Sequence, residues 1–237
     1  MTTTCLIVLS FIALVAASIS IVRFMPSPER SSHAFDGQFH VTHDKDAQQL
    51  RILDANEDRL IVEETQGSHC EPDVFLDDGC APPYHYHTSQ YETFEVMEGA
   101  VRIKLNGDES TVLQKGEKFT VAPRDKHTLI KSGHEDMRVR VILFPNPVNM
   151  ERFFPNLFGT IRDGGPNPVQ ILYVFCNNGV RIADMPSFLH ETLCVMINVM
   201  APLAGYHLEY PEYAFKGDHQ WNESEEGTVT PLQKQDL

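Results

Sequence analysis

Two histidines, His85 and His87, lie one residue apart in the stretch GCAPPYHYHTSQYETFEVMEG, and Glu92 follows shortly after them. Side chains alternate between the two faces of a β-strand, so both imidazoles project from one face, roughly 6 to 7 Å apart along the chain. The next alternating run places Glu92 on one face with Phe94 and Val96, which predicts a carboxylate in an apolar interior. Such burial costs several kcal/mol unless the charge is compensated, and a divalent metal held by histidine and glutamate would compensate it.

A fourth ligand is expected from a distant strand, and the stretch GEKFTVAPRDKHTLIK offers His127 before another alternating apolar run. With His127 included, the chain resembles the cupin superfamily. The first cupin motif, G-x(5)-H-x-H-x(3,4)-E-x(6)-G, is matched at every fixed position from Gly79 to Gly99. The second, G-x(5)-P-x-G-x(2)-H-x(3)-N, is matched at Gly116 and His127. Three other residues stand where that motif has Pro, Gly and Asn: Ala122, Arg124 and Lys131.

The resemblance covers about residues 60 to 145 and implies a mainly β fold, the cupin double-stranded β-helix or jelly-roll barrel. It also implies that His85, His87, Glu92 and His127 surround one metal ion. If these ligands behave as in related cupins, two adjacent positions of an octahedral ion stay open, for O2 and a substrate oxygen or for an enolate. The predicted metal is Fe(II) first, with Mn, Zn and Ni as alternatives, and individual catalytic residues are left unassigned.

The pattern along the chain predicts five segments. Residues 1–24 form an N-terminal hydrophobic helix, and residues 25–37 are a linker rich in Pro and Ser. Short alternating runs separated by turn residues predict the β-barrel over 38–147. Residues 148–215 are expected to form a helical extension that packs on the barrel or lies at a lipid surface, and 216–237 form a polar tail.

The first segment decides the predicted location. The uncharged run from Cys5 to Val22 just reaches the length that crosses a bilayer, and Arg23 and Arg30 follow it. This predicts a single-pass membrane protein with its domain on the cytoplasmic side. The alternative is secretion by a signal peptide cleaved near the small residues VAA at 15–17.

The five cysteines contain no CxxC pair, which excludes a zinc knuckle and a thioredoxin-like motif. Cys70 and Cys80 bracket a short loop and would form a disulfide in an oxidising compartment. The predicted cytoplasmic orientation instead favours free thiols. Their pairing is left open by the sequence.

Composition and motifs narrow the function. The formal net charge of -14 argues against a nucleic-acid partner, and no nicotinamide, flavin, Walker, GxSxG or HExxH motif is present. Redox chemistry would therefore come from the metal itself. The predicted partners are a small-molecule substrate and, through residues 1–24, a membrane; a homodimer is a candidate assembly.

A second resemblance concerns the segments ERFFPNLFG, at 151–159, and YPEY, at 210–213. They are similar to a subgroup of fungal cupin-domain oxidoreductases found in secondary-metabolite gene clusters. The resemblance implies a metal-dependent, dioxygenase-like oxidoreductase acting on a small, polyketide-type substrate. Two alternatives stay open: a cupin isomerase or cyclase without redox chemistry, and a binding or storage cupin whose metal is structural.

Overall fold

The computed structural model describes residues 38–40, 48–67, 70, 80–107, 109–146, 150–164 and 167–213, with a few single positions between 13 and 30. Within these ranges the strands are β1 (Gln38–His40), β2 (Gln48–Ala55), β3 (Leu60–Gln66), β4 (His85–His87), β5 (Tyr91–Glu98), β6 (Ala100–Leu105), β7 (Glu109–Gln114), β8 (Lys118–Val121), β9 (His127–Ser132), β10 (Met137–Phe144) and β11 (Val180–Ile182). The helices are α1 (Met150–Gly164), α2 (Pro168–Asn177), α3 (Ser187–Leu203) and a 3-10 turn, Pro211–Tyr213.

The strands form two antiparallel sheets, which confirms the predicted barrel. One sheet has the order β1-β2-β3-β10-β5-β8, and the other has the order β11-β4-β9-β6-β7. Neighbours in each sheet are often distant in sequence, as expected for a jelly roll and not for a simple meander. Strands that carry the two halves of the predicted metal site therefore lie in different sheets and face a common interior.

The interior is built by the alternation that the sequence predicts. The inward face of β5 carries Phe94 and Val96 beside Glu92, and all three side chains are buried. Val141 of β10 lies opposite Phe94, and Leu143 lies opposite Glu92. Burying such side chains is worth about 1.5–3 kcal/mol each, so a one-residue slip of register would be strongly disfavoured.

The predicted C-terminal helices are confirmed, and α1 and α2 contribute to the barrel core. Phe153 and Leu157 of α1 and Phe175 of α2 belong to the same buried apolar cluster as the strands. The chain begins α2 with Asn167, whose side-chain oxygen accepts hydrogen bonds from the backbone N–H groups of the first turn, followed by Pro168. The sequence pattern did not predict β11, which extends the second sheet beyond β4.

The two segments that suggest the fungal subgroup lie against each other. Gly159 of α1 faces the ring of Tyr213 so closely that a Cβ atom at this position would come within 2.6 Å of it. The Tyr213 hydroxyl donates a hydrogen bond to Asp163 at the end of the same helix, at 2.6 Å. The pairing of these segments therefore fixes the position of α1, the helix that covers the barrel interior.

Two disulfides cross-link the part of the chain that the structure describes. Cys70 pairs with Cys80, and Cys176 of α2 pairs with Cys194 of α3. The structure therefore contains the first disulfide, which the sequence left open, and the free-thiol interpretation is wrong. The second disulfide was not predicted, because Cys176 and Cys194 meet only when α2 and α3 pack together.

Replacing Cys70 and Cys80 together by serine is expected to lower the free energy of unfolding by about 2–3 kcal/mol, because the disulfide restricts the unfolded chain. The melting temperature should fall by roughly 5–10 °C for a chain of this size. Thermal melts under non-reducing conditions measure the change. Cys5→Ser is the matched control, since neither disulfide uses Cys5. Alkylation of both thiols in the native, unreduced protein would contradict the prediction.

The predicted localisation needs correction. Among the described residues no helix is long and apolar enough to cross a membrane, so the prediction of a single-pass membrane protein is wrong for that part of the chain. The run from Cys5 to Val22, on which it rested, lies outside the described residues apart from single helical positions. The linker at 25–37 and the tail at 216–237 also lie outside them, apart from position 30.

Candidate metal centre

The four predicted ligands come together in the barrel interior. His85 and His87 lie on β4 and His127 on β9 of one sheet, whereas Glu92 lies on β5 of the other sheet. His85 and His127 are direct partners across the β4–β9 pair. One nitrogen or oxygen atom from each of the four side chains lies within 4.8 Å of all the others, and all four side chains are buried. The structure thus forms a His/Glu cluster of the kind that can hold a metal ion.

Backbone carbonyls orient two of the imidazoles. Nδ1 of His85 lies 2.7 Å from the carbonyl oxygen of Pro83, and Nδ1 of His127 lies 2.9 Å from that of Asp125. A carbonyl only accepts, so each Nδ1 carries the proton and donates. This leaves Nε2 of each ring directed at the centre of the cluster, the arrangement that orients histidine ligands at metal sites.

Glu92 is the negative partner of the histidines. Its Oε2 lies 2.6 Å from Nε2 of His127 and 3.2 Å from Nε2 of His87. The shorter contact is a hydrogen bond. Because both nitrogens of His127 then face acceptors, His127 and Glu92 form a buried imidazolium–carboxylate pair in this structure.

Burial and the charges of neighbouring members of the cluster determine which of its side chains carry a proton. Burial would raise the pKa of Glu92, but His87 and His127 outweigh it and hold that pKa well below its usual range. Burial alone would lower the pKa of His127, but the nearby Glu92 carboxylate has the larger effect and raises that pKa above its usual value. Burial, reinforced by the charges of His127 and His87, lowers the pKa of His85 to about 3. His85 is therefore neutral at physiological pH and has the free lone pair that a metal requires.

His87 provides the test of whether a metal fits. Neither of its ring nitrogens has a hydrogen-bond partner among the described residues, although the ring is only 4 % exposed. Its contact with Glu92 is close but is not aligned as a hydrogen bond. A buried polar group left in this way costs about 1–3 kcal/mol, and coordination to a cation would remove that cost. The orphaned ring and the neutral His85 both fit a bound divalent ion.

The turn before His127 and the strand after it accommodate the residues that replace those of the second cupin motif. Arg124 stands where the motif has glycine, and its φ of 73° lies in the left-handed region that favours glycine. Its backbone N–H donates to the carbonyl of His87 at 2.7 Å, which ties this turn to β4. Lys131, in place of the motif's Asn, is buried and donates to the carbonyl of Gly67 at 2.8 Å. The turn geometry is kept although its usual residues are not.

Steric constraints explain why the first motif has glycine at position 99. Its φ is +68°, and a Cβ atom there would lie 2.4 Å from the carbonyl oxygen of Asp136. This tight turn connects β5 to β6, so Gly99 lets the strand that carries Glu92 end and the chain cross to the other sheet. Gly79, the first residue of the motif, lies outside the described residues.

An apolar cavity of about 140 Å³ adjoins the cluster. His85, His87 and Glu92 form one part of its wall. Helices α1 and α2 cover it with aromatic and aliphatic side chains: Phe153, Phe154, Leu157, Phe158, Ile161, Ile171 and Phe175. Two polar side chains that the sequence analysis did not single out, Gln48 and Glu64, also lie in the wall. A small apolar molecule bound in this cavity would therefore contact the His/Glu cluster.

A second group of potential ligands lies between α2 and α3. His190, one of the eight histidines for which we predict no metal role, is buried with Nδ1 3.3 Å from the sulfur of Cys194. Its ligand atoms and those of Cys176 and Cys194 lie within 4.8 Å of one another. Both sulfurs are used in the disulfide, so this group is not available for a metal in the present structure.

Comparison with known proteins agrees with this geometry. Residues 74–144 match the cupin domain family. The chain contains a cupin domain. The "Probable oxidoreductase virH" of Hypocrea virens is 27% identical over 205 residues, which cover 79% of this chain and 91% of that protein. An oxidoreductase of Arthrobotrys oligospora is 25% identical over 202 residues, which cover 77% of this chain and 79% of that protein.

Among solved structures, KdgF from Halomonas sp. superposes on 42% of this chain and 79% of its own, with 20% identity and a TM-score of 0.35. Over most of its length the chain is similar to two fungal proteins that are named oxidoreductases.

Proposed function

We propose that this cupin protein is a metal-dependent oxidoreductase that acts on a small, mostly apolar organic molecule bound in the cavity beside His85, His87, Glu92 and His127. The observation that carries the proposal is the continuity of the His/Glu cluster with an apolar cavity. The names of the two fungal relatives support the reaction class. Following the sequence resemblance, we also propose that the substrate is polyketide-like and belongs to secondary metabolism.

We infer Fe(II) as the ion for this reaction class, because imidazole and carboxylate suit iron and the sequence has no motif for an organic redox cofactor. When bound, such an ion would supply the electron transfer and Lewis acidity that these side chains lack. His85, His87 and His127 would hold it with neutral imidazoles, and Glu92 would balance one of its charges. The hydrogen bonds of His85 and His127 to backbone carbonyls keep their Nε2 atoms aimed inward.

The cavity wall contributes orientation and exclusion of water. Its aromatic side chains from α1 and α2 remove the substrate from bulk solvent, which strengthens every electrostatic interaction inside. A binding or storage cupin would be favoured by a wall of large aliphatic residues alone. The wall instead includes two metal-site histidines and two carboxyl groups, Glu64 and Glu92, and this favours an enzyme.

The proposal is tested by loading the purified full-length protein with Fe(II) under anaerobic conditions. We expect about one ion per chain and, on addition of nitric oxide as an O2 analogue, the electron paramagnetic resonance signal of a ferrous nitrosyl. O2 uptake with candidate single-ring substrates then separates an oxidoreductase from an isomerase or cyclase. His134→Ala, which changes an exposed histidine, is the control. Stoichiometric iron without a nitrosyl signal would identify the metal as structural and overturn the proposal.

A further inference from the structure

A second polar group lies in the cavity wall away from the histidines. Glu64 of β3 is buried, and its Oε1 accepts hydrogen bonds from the side-chain amides of Gln48, at 2.9 Å, and Gln66, at 2.7 Å. Both amides also donate to the carbonyl oxygen of Cys80, at 3.0 and 3.1 Å. The side-chain amides of both glutamines therefore donate to the same two acceptors, and these hydrogen bonds hold the Glu64 carboxyl in one orientation.

This arrangement leaves two oxygens without protein partners. No hydrogen bond to Oε2 of Glu64 is formed by the residues that the structure describes, and Oε1 of Gln48 is buried without a partner there. The orientation of the Gln48 amide is fixed, because its NH2 group faces two acceptors. A buried acceptor without a partner costs about 1–3 kcal/mol. A ligand group that both donates and accepts hydrogen bonds would satisfy both oxygens.

The carboxyl group is suited to donate. Burial raises the pKa of Glu64, the charge of Glu92 adds to the rise, and the hydrogen bonds from Gln66 and Gln48 only partly oppose it. Since Oε1 already accepts two hydrogen bonds, Oε2 is the oxygen on which a proton would reside. Glu64 then differs from Glu92, whose pKa is lowered by its histidine partners. One carboxyl of the cavity is thus kept charged, and the other is suited to carry a proton.

The two carboxyl groups lie toward different ends of the cavity. Glu64 pairs with Val139 of β10, and Glu92 pairs with Leu143 of the same strand. Four residues of β-strand correspond to roughly 13 Å along the strand direction. Between them the wall is apolar, with Leu50, Val62 and Val141 among its residues. A ligand held at the Glu64 end would place a polar group there and an apolar body along this wall.

The size of the cavity limits that body. A cavity of about 150 Å³ lined by apolar side chains holds one benzene molecule, and this cavity has about 140 Å³. A single six-membered ring therefore fills it, and a fused ring system would have to extend out of it. Phe153, Phe154 and Phe175 provide faces and edges against which an aromatic ring packs favourably.

We propose that Glu64 and Gln48 form a recognition subsite for a hydroxyl group on a single-ring substrate. The Glu64 carboxyl donates a hydrogen bond to the hydroxyl oxygen, and Gln48 Oε1 accepts a hydrogen bond from the hydroxyl group. The substrate class is a phenol or a ring alcohol whose hydroxyl is held at the end of the cavity away from the metal centre. The inference rests on the proposed function in taking this cavity as the substrate cavity, but the hydroxyl contact itself requires no metal.

The test uses phenol and toluene as probes, because they differ by one hydroxyl in place of a methyl group. Binding of each to the full-length protein is measured by calorimetry, before and after the metal is removed with a chelator. We expect Glu64→Met to weaken phenol binding about tenfold and to leave toluene binding unchanged, which also shows that the cavity is intact. Glu64→Gln should keep phenol binding within about threefold, because the amide still donates a hydrogen bond.

Gln114→Met is the matched control, since Gln114 is an exposed glutamine of β7 that does not line the cavity. Where Glu64→Met fails to fold, Gln48→Met carries the test, with the same loss for phenol alone. Equal loss of phenol and toluene in these variants would overturn the subsite. Loss of phenol preference on metal removal would also overturn it, because the hydroxyl would then bind the metal, whereas the proposed function would stand.

Discussion

His87→Ala is expected to lower the affinity of the protein for Fe(II) or Zn(II) by more than about hundredfold. Loss of residues that only support a metal ligand already costs 10- to 100-fold, and His87 is predicted to be a ligand itself. Its two ring nitrogens have no hydrogen-bond partner among the described residues, and its close contact is the one with Glu92 at 3.2 Å, inside the same cluster. Titration of the metal-free full-length protein with Zn(II), followed by calorimetry, measures the change.

The metal-free form separates a lost ligand from a damaged fold. The alanine removes a buried imidazole with unsatisfied nitrogens, which stabilises the fold, and also its contact with Glu92, which destabilises it. Because these effects oppose each other, the metal-free variant should melt within a few degrees of the metal-free native protein. His85→Ala should lose the metal as well, although it also leaves the carbonyl of Pro83 without its donor. His134→Ala should change neither quantity. Native affinity in His87→Ala would remove His87 from the site and leave its orphaned ring unexplained.

The sequence predicted the barrel and the four converging side chains because both depend on local patterns. Strand alternation fixed which face of β4 and β5 is buried, and the spacing of His85, His87 and Glu92 followed from it. His127 was a candidate because it precedes an alternating apolar run, and the resemblance to the second cupin motif then supported it as a ligand. Its pairing with His85 is a contact between distant strands that alternation alone does not specify.

The features that the sequence did not predict depend on long-range contacts. In the run LIVEETQ, Glu64 is one of two adjacent glutamates, and nothing in the sequence marks it as buried. Its position in the cavity wall beside Gln48 results from the pairing of β3 with β2 and β10. The disulfide Cys176–Cys194 requires α2 and α3 to pack together. Arg124 stands at the glycine position of the second motif, and its left-handed backbone is set by the turn that its N–H ties to β4.

Glu92→Gln is expected to change metal affinity and pH dependence together. The amide has the shape of the carboxylate but lacks its charge, so metal affinity should fall by about hundredfold or more while the barrel still folds. In the metal-free protein the same substitution removes the negative half of a buried pair. His127 should then lose its raised pKa, and NMR titration of its ring resonances measures that directly.

The direction of each pKa shift predicts how the free energy of unfolding of the metal-free protein changes with pH. The raised pKa of His127 contributes stability that is complete below its unfolded value, about 6.5, and is lost as pH rises through its folded pKa. The lowered pKa of Glu92 contributes stability that is present above its unfolded value, about 4.3, and is lost as pH falls through its folded pKa. The pair therefore stabilises the metal-free protein most between about pH 4.3 and 6.5.

Urea unfolding of the metal-free native protein and of Glu92→Gln, at pH 5.5 and pH 8.5, tests this window. The advantage of the native protein over the variant should be larger at pH 5.5 than at pH 8.5. The difference between the two proteins is the quantity to compare, because His85, whose pKa is lowered to about 3, gives both a loss of stability as pH falls. Metal binding follows the opposite course, since His127 must give up its Nε2 proton to become a ligand, so affinity should rise with pH. If Glu92→Gln keeps native metal affinity and the native pH profile, Glu92 neither binds the metal nor pairs with His127, and the centre reduces to three histidines.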